Sequence, residues 1–121
     1  MTAMRDKVNL AAALASFDEA FSPRIVAYYN DDKVQVAKTR GAFVWHSHAD
    51  TDDFFLVLAG RLAIELRERE VVLEPGELFV VPRGVEHRPR ADSEAHVLLI
   101  ERRGTPNTGD AKAVSAPELE L

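Results

Sequence analysis

The chain has no cysteine, and only two methionines and one tryptophan among its 121 residues. Without cysteine there are no disulfides, zinc ribbons, iron–sulfur clusters or thiol nucleophiles. The same absence leaves no mark of an oxidising compartment. Positive charge is also scarce: 15 Lys and Arg stand against 20 Asp and Glu, for a formal net charge of −5, and the basic residues form no cluster. That argues against nucleic acid as a partner, because phosphate binding needs concentrated positive charge. Long apolar runs are missing too. The longest near the start is Leu10 to Ala15, too short for a membrane span and for a secretory h-region. We therefore expect a cytoplasmic protein with no membrane partner.

A chain of 121 residues suits one domain, and folding at this length buries roughly two-thirds of the surface that the unfolded chain exposes. The first segment reads as a helix. Asn9 can cap it, and Leu10, Leu14, Phe17 and Phe21 recur at helical spacing. Pro23 ends it, because the residue before a proline is pushed out of the helical region. From Arg24 the period shortens. Apolar runs follow at 25–29, 34–38, 43–48, 53–58, 62–66, 71–73, 78–81 and 96–100. Turn signals separate them, among them Asn30-Asp31-Asp32, Ala59-Gly60 and Pro82-Arg83-Gly84. Pro75 and Gly76 take the two central places of a type II turn. Short strands at such regular intervals mark a β-sandwich or barrel.

The faces of these strands differ. Leu62, Ile64 and Leu66 alternate to one side. The run from Phe54 to Leu58 is apolar on both sides and needs outer cover, from Leu14, Phe17 and Phe21 or from a second copy of the chain. The two are compatible, and a homodimer is expected. After Glu101 the composition turns to Gly104, Pro106, Gly109, Ser115 and Pro117, a C-terminal extension that is ordered only where it docks. The expected organisation is a helical segment over 1–22, a β domain over 23–103 and an extension over 104–121.

Four histidines remain to carry any metal or acid–base chemistry. His46 and His48 sit at i and i+2 at the end of an expected strand, so both rings project from one face. Asp53 opens the next strand with the parity of Phe55 and Val57, and His87 follows the Pro82-Arg83-Gly84 corner. Three imidazoles and a carboxylate from separate strands can converge on one ion, and such donors suit Fe, Mn, Zn, Ni or Co better than Mg or Ca. Each feature taken alone also has a plainer meaning: two exposed strand histidines, a surface turn histidine, or a solvated loop at Asp50, Asp52 and Asp53. His96 gains nothing from spacing and reads as structural or exposed.

The spacing around these residues resembles the two motifs of the cupin superfamily. The first family motif runs Gly, a short gap, His-x-His, three or four residues, Glu, six residues and Gly; here Gly41, His46, His48, Asp53 and Gly60 stand in that order. The second runs Gly, five residues, Pro-x-Gly, two residues, His, three residues and Asn; here Gly76, Pro82, Gly84, His87 and Ala91 correspond. Three positions depart from the pattern. Gly41 lies one residue closer to the histidines, Ala91 replaces the asparagine, and Asp53 replaces the glutamate with a side chain about 1.5 Å shorter.

The resemblance implies an all-β, single-domain jelly-roll barrel with a short N-terminal helix. It also implies one divalent transition metal near the barrel's centre, held by His46, His48, Asp53 and His87, and a pocket for a small-molecule ligand. Fold alone does not specify a reaction. The first expectation is a metal-dependent enzyme of dioxygenase or isomerase type. The alternatives are a non-catalytic binder or sensor, and a metal-free interior cluster of hydrogen-bonded histidines. Glu65 and Tyr28 are the candidate acid–base groups, each dependent on which strand face meets the pocket.

Overall fold

Residues 6–121 are described in a computed structural model. Asn9 starts the helix as expected, its side chain accepting from the Ala12 N–H at 2.9 Å. The helix α1 (Leu10–Ala15) is shorter than the apolar spacing suggested and stops well before Pro23. Ser16 closes it, because its hydroxyl donates to the Ala13 carbonyl at 2.7 Å and competes with the next helical bond. Phe17 is still buried, under the guanidinium of Arg24 at 4.4 Å. Phe21 leaves the helix face altogether: it sits at φ +54° and stacks on Phe43 at 4.8 Å.

Eight strands follow: β1 (Arg24–Tyr29), β2 (Asp32–Ala42), β3 (Asp53–Ala59), β4 (Leu62–Glu65), β5 (Glu70–Leu73), β6 (Leu78–Val81), β7 (Arg88–Arg102) and β8 (Leu119–Glu120). The expected jelly-roll architecture with its short N-terminal helix is the one found. Strand β7 is its spine, and its first half was hidden in the sequence because Arg88 to Glu94 is polar and contains Pro89. One edge of β7 pairs with β2 from Asp32↔Arg102 to Ala42↔Arg90. The other edge is shared, β4 pairing at Ala63↔Arg90 and β3 at Phe54↔Ile100. Gly60 marks the place where β3 and β4 part. A Cβ there would lie 2.7 Å from the Glu94 carbonyl oxygen, and its φ is +79°.

Strand parity divides the core. Phe55, Val57, Leu62, Ile64, Leu73, Val81 and Val97 fill the interior. Val26 and Val36 face outward under Leu14 and Phe17 of the N-terminal segment, each such buried side chain contributing roughly 1.5–3 kcal/mol. Residues 43–48 do not form the expected strand; a single antiparallel bridge, His46↔His87, is the pairing they make. The C-terminal extension docks. Strand β8 pairs in parallel with β1 at Arg24↔Leu119, and Asn107 donates to the Phe21 carbonyl at 3.1 Å. No helix among the described residues is long and apolar enough to cross a membrane.

Two glycines separate backbone strain from crowding. Gly76 also has positive φ, +86°, but a Cβ there meets nothing within 4 Å. Gly76→Ala should cost about 1–2 kcal/mol from the left-handed backbone alone. Gly60→Ala should cost about 3 kcal/mol or more, because the collision with Glu94 and Ala95 adds to that strain. Calorimetric melting checks this: a Tm loss for Gly60→Ala no larger than for Gly76→Ala would contradict the assignment.

Candidate metal centre

The four residues singled out by spacing are brought together, all buried, with one potential ligand atom from each lying within 4.8 Å of the others. Asp53 enters from the first position of β3, pointing inward with Phe55 and Val57. His46 and His87 are tied backbone to backbone, His46 N–H to the His87 carbonyl at 3.1 Å and His87 N–H to the His46 carbonyl at 2.9 Å. The segment between His46 and His48 is pinned on both sides. Gly84 N–H donates to the His48 carbonyl at 2.8 Å, and Asp110 N–H to the Ser47 carbonyl at 3.0 Å. The Asp110 carboxylate in turn accepts from Ser47 N–H at 2.6 Å and from its hydroxyl at 3.0 Å. Gly109 must be glycine for this, since a Cβ would run into the Ser47 carbonyl oxygen and lie 3.0 Å from His46 Cδ2.

Hydrogen bonds set the ring tautomers. His46 Nδ1 lies 2.9 Å from the Val44 carbonyl oxygen and His87 Nδ1 3.0 Å from that of Val85. A carbonyl oxygen only accepts, so in the neutral rings Nδ1 carries the proton and Nε2 keeps its lone pair. The Nε2 atoms of His87 and His48 lie 3.2 and 3.4 Å from one oxygen of Asp53. A neutral ring's lone pair facing a carboxylate at that distance is repulsive unless a proton or a metal cation lies between them. Spacings of about 3.0–3.4 Å are those of adjacent ligands around one ion with bonds near 2.1 Å. His48 Nδ1 is buried without a hydrogen-bond partner. The donor set of three imidazoles and a carboxylate therefore fits a divalent transition ion.

The charges respond to this crowding. Burial, reinforced by the neighbouring His87, pushes the His46 imidazole down to about 4. Burial also disfavours a charged His48, but the hydrogen bond and charge of Asp53 outweigh it and hold His48 above its usual value. Burial alone would raise Asp53, yet its bonds to His48 and His87 keep it below the ordinary carboxylate range.

A largely apolar cavity opens beside His46 and Asp53, with a water-accessible volume of about 50 Å³, room for a few waters or a small ligand. Phe21, Phe43, Phe55, Val97 and Leu99 are among its walls. Neither candidate acid–base group reaches it. Glu65 is held by Arg88 at 2.5 Å and Arg90 at 3.4 Å, and the Tyr28 hydroxyl bonds to Glu120. His96 stands apart, bonded to Glu94 at 2.9 Å. The residue that the sequence reading missed is Glu101, which lines the cavity 3.9 Å from His48 Nε2. Burial first, and the charge of Asp53 second, push its carboxyl up to about 7. The signal was available, since the inward alternation of Ala95, Val97 and Leu99 continues to Glu101. Lys33 sits directly across from it on β2 and reaches it at 3.7 Å.

With this geometry in hand, comparison with known proteins is decisive: the family profile described as "Cupin domain" matches residues 33–101. The chain is a cupin. A curated relative, YdbB of Bacillus subtilis (strain 168), is 31% identical over 96 residues, covering 78% of this chain and 85% of that protein. Among solved structures, a cupin-2 domain containing protein from Shewanella frigidimarina superposes with a TM-score of 0.78 at 42% identity. It covers 79% of this cupin and 94% of that chain. Protein NMB1881 from Neisseria meningitidis follows the same course, with a TM-score of 0.74, 28% identity and coverage of 80% and 99%. The profile ends at Glu101, so the segment carrying Asn107, Gly109 and Asp110 lies beyond it.

The tautomer argument can be checked directly. In metal-free protein near neutral pH, long-range ¹H–¹⁵N correlation spectra should show neutral His46 and His87 protonated at Nδ1. Protonation of either neutral ring at Nε2 would contradict the carbonyl contacts.

Proposed function

We propose that this cupin is a metal-dependent enzyme acting on a small molecule, of dioxygenase or isomerase type. One divalent transition ion (Fe, Mn, Zn, Ni or Co) would be held by His46, His48, Asp53 and His87. The observation that carries this reading is the buried meeting of imidazole lone pairs and a carboxylate at the end of an apolar cavity. When bound, such an ion supplies a Lewis acid or a redox centre. The chain's own residues do the remaining work. The Val44 and Val85 carbonyls orient two imidazoles, the stacked Phe21 and Phe43 give the cavity an apolar wall, and Glu101 offers a carboxylate inside it. One fact favours a second reading, a binder or sensor without turnover: apart from His46 and Asp53, Glu101 is the one titratable side chain among the described residues lining the cavity.

We also propose a homodimer. The outward residues of β6, β3 and β7 align across the strands as Val80, Phe54 and Ile100, and as Leu78, Leu56 and Leu98. The N-terminal segment packs instead on Val26, Val34, Val36 and Leu58, which leaves Leu78 56% and Val80 40% exposed. A second copy laid over these rows would cover them.

Elemental analysis of protein purified without an affinity tag should give close to one transition metal per chain. His46→Ala should abolish it and His96→Ala should leave it intact; equal loss from both would refute the ligand set. Asp53→Glu should preserve or tighten binding, with complete loss pointing to a site built for the shorter side chain. Turnover tests use oxygen consumption with thiols, diketones and catechols, and binding without turnover would select the sensor reading. Light scattering should give a mass of twice the 13.4 kDa chain, falling to one chain for Leu56→Glu combined with Leu78→Glu. A monomeric parent would end the dimer proposal.

A further inference from the structure

The cavity's polar atoms are almost all engaged already. Thr39 donates to the Ala95 carbonyl at 3.1 Å. Asn107 donates to the Phe21 carbonyl, and its oxygen accepts from Ser115 at 2.7 Å and Ala116 at 3.0 Å. Oε1 of Glu101 is taken by Gln35 at 3.3 Å and Lys33 at 3.7 Å. Its other oxygen has His48 Nε2 at 3.9 Å, too far for a hydrogen bond. The Thr39 hydroxyl keeps a neutral lone pair, and a carboxylate oxygen of Glu101 is the stronger acceptor available to a ligand.

Charge narrows the ligand further. Asp53 and Glu101 both line the cavity, and among the described residues no Lys or Arg does. Lys33, outside the lining, reaches Glu101 at 3.7 Å and is itself held by the Thr105 carbonyl at 2.8 Å and Glu118 at 3.0 Å. Two carboxylates already balance a divalent ion, so an anionic ligand would meet uncompensated negative charge in an apolar enclosure.

Resting on the metal reading above, we infer that the cavity selects a neutral, hydroxyl-bearing small molecule with an apolar body, and that Glu101 is the residue that selects it. The hydroxyl hydrogen is received by the cavity-facing oxygen of Glu101, and the aromatic and aliphatic walls take the body. Anionic ligands of similar size are turned away by the same carboxylate.

The test uses full-length protein loaded with Co(II) under argon at pH 8, titrated separately with catechol and with oxalate and followed by its visible absorption. Wild-type protein should bind catechol more tightly than oxalate. Glu101→Gln keeps the size of the side chain and removes its charge. It should weaken catechol about tenfold and strengthen oxalate about tenfold, the scale of one charge-assisted hydrogen bond. Mere loosening of the cavity would move both probes in the same direction, and that result overturns the inference. So does tighter binding of oxalate than catechol by the wild type, a comparison that needs no variant to fold. Stoichiometric Co(II) with the wrong probe order defeats this inference alone, whereas failure of the wild type to take up Co(II) defeats the metal reading and this inference together.

Discussion

Imidazole lone pairs and a carboxylate, aimed at one another in a dry interior, repel unless positive charge lies between them, and the architecture of this cupin is organised around that constraint. The Val44 and Val85 carbonyls hold two rings in the tautomer that turns a lone pair inward. The His46–His87 backbone bridge keeps those rings in register. Burial then makes the arrangement selective. It divides the rings: desolvation drives His46 down to about 4, whereas the contact with Asp53 holds His48 above its usual value. A divalent ion satisfies several donors at once, which a single proton cannot.

The long strands β2 and β7 serve two environments at once. On β2 the outward Val34 and Val36 pack beneath the helix, while Lys33 and Gln35 turn inward to Glu101. On β7 the outward Leu98 and Ile100 lie on the exposed sheet, while Val97, Leu99 and Glu101 face the interior. A one-residue slip of either strand would exchange these sets and place Glu101 outside. The pairing between them therefore supports both the core and the polar end of the cavity.

Much of this was legible before the fold was known. Asp53 was placed by its parity with Phe55 and Val57, His46 and His48 by their i, i+2 spacing, and His87 by the Pro-x-Gly corner preceding it. Where the sequence misled, local chemistry had overridden periodicity. Phe17 and Phe21 keep helical spacing with Leu14, but the Ser16 hydroxyl ends the helix and Phe21 turns to Phe43. Residues 43–48 read as an apolar strand, but they make a single antiparallel bridge and otherwise bond to isolated backbone groups such as those of Gly84 and Asp110. The first half of β7 reads as a polar loop because its exposed charges are paired on the surface, Arg90 with Glu70 and Asp92. Glu101 was overlooked for a different reason: a carboxylate at the end of an apolar run looks like the end of the strand, although the inward alternation of Ala95, Val97 and Leu99 runs on to it and Lys33 faces it across the pairing with β2.

The bonds from Asp110 to Ser47 and from Asn107 to Phe21 also fix an order of events in time. During synthesis, the loop bearing His46 and His48 leaves the ribosome long before its clamp exists. Until residues near 110 emerge, that loop has Gly84 and His87 to hold its backbone but lacks the bonds to Ser47. The donor cluster is thus completed late, by closure of a contact spanning more than half the chain, so a nascent barrel can gather its core before its site is in working order.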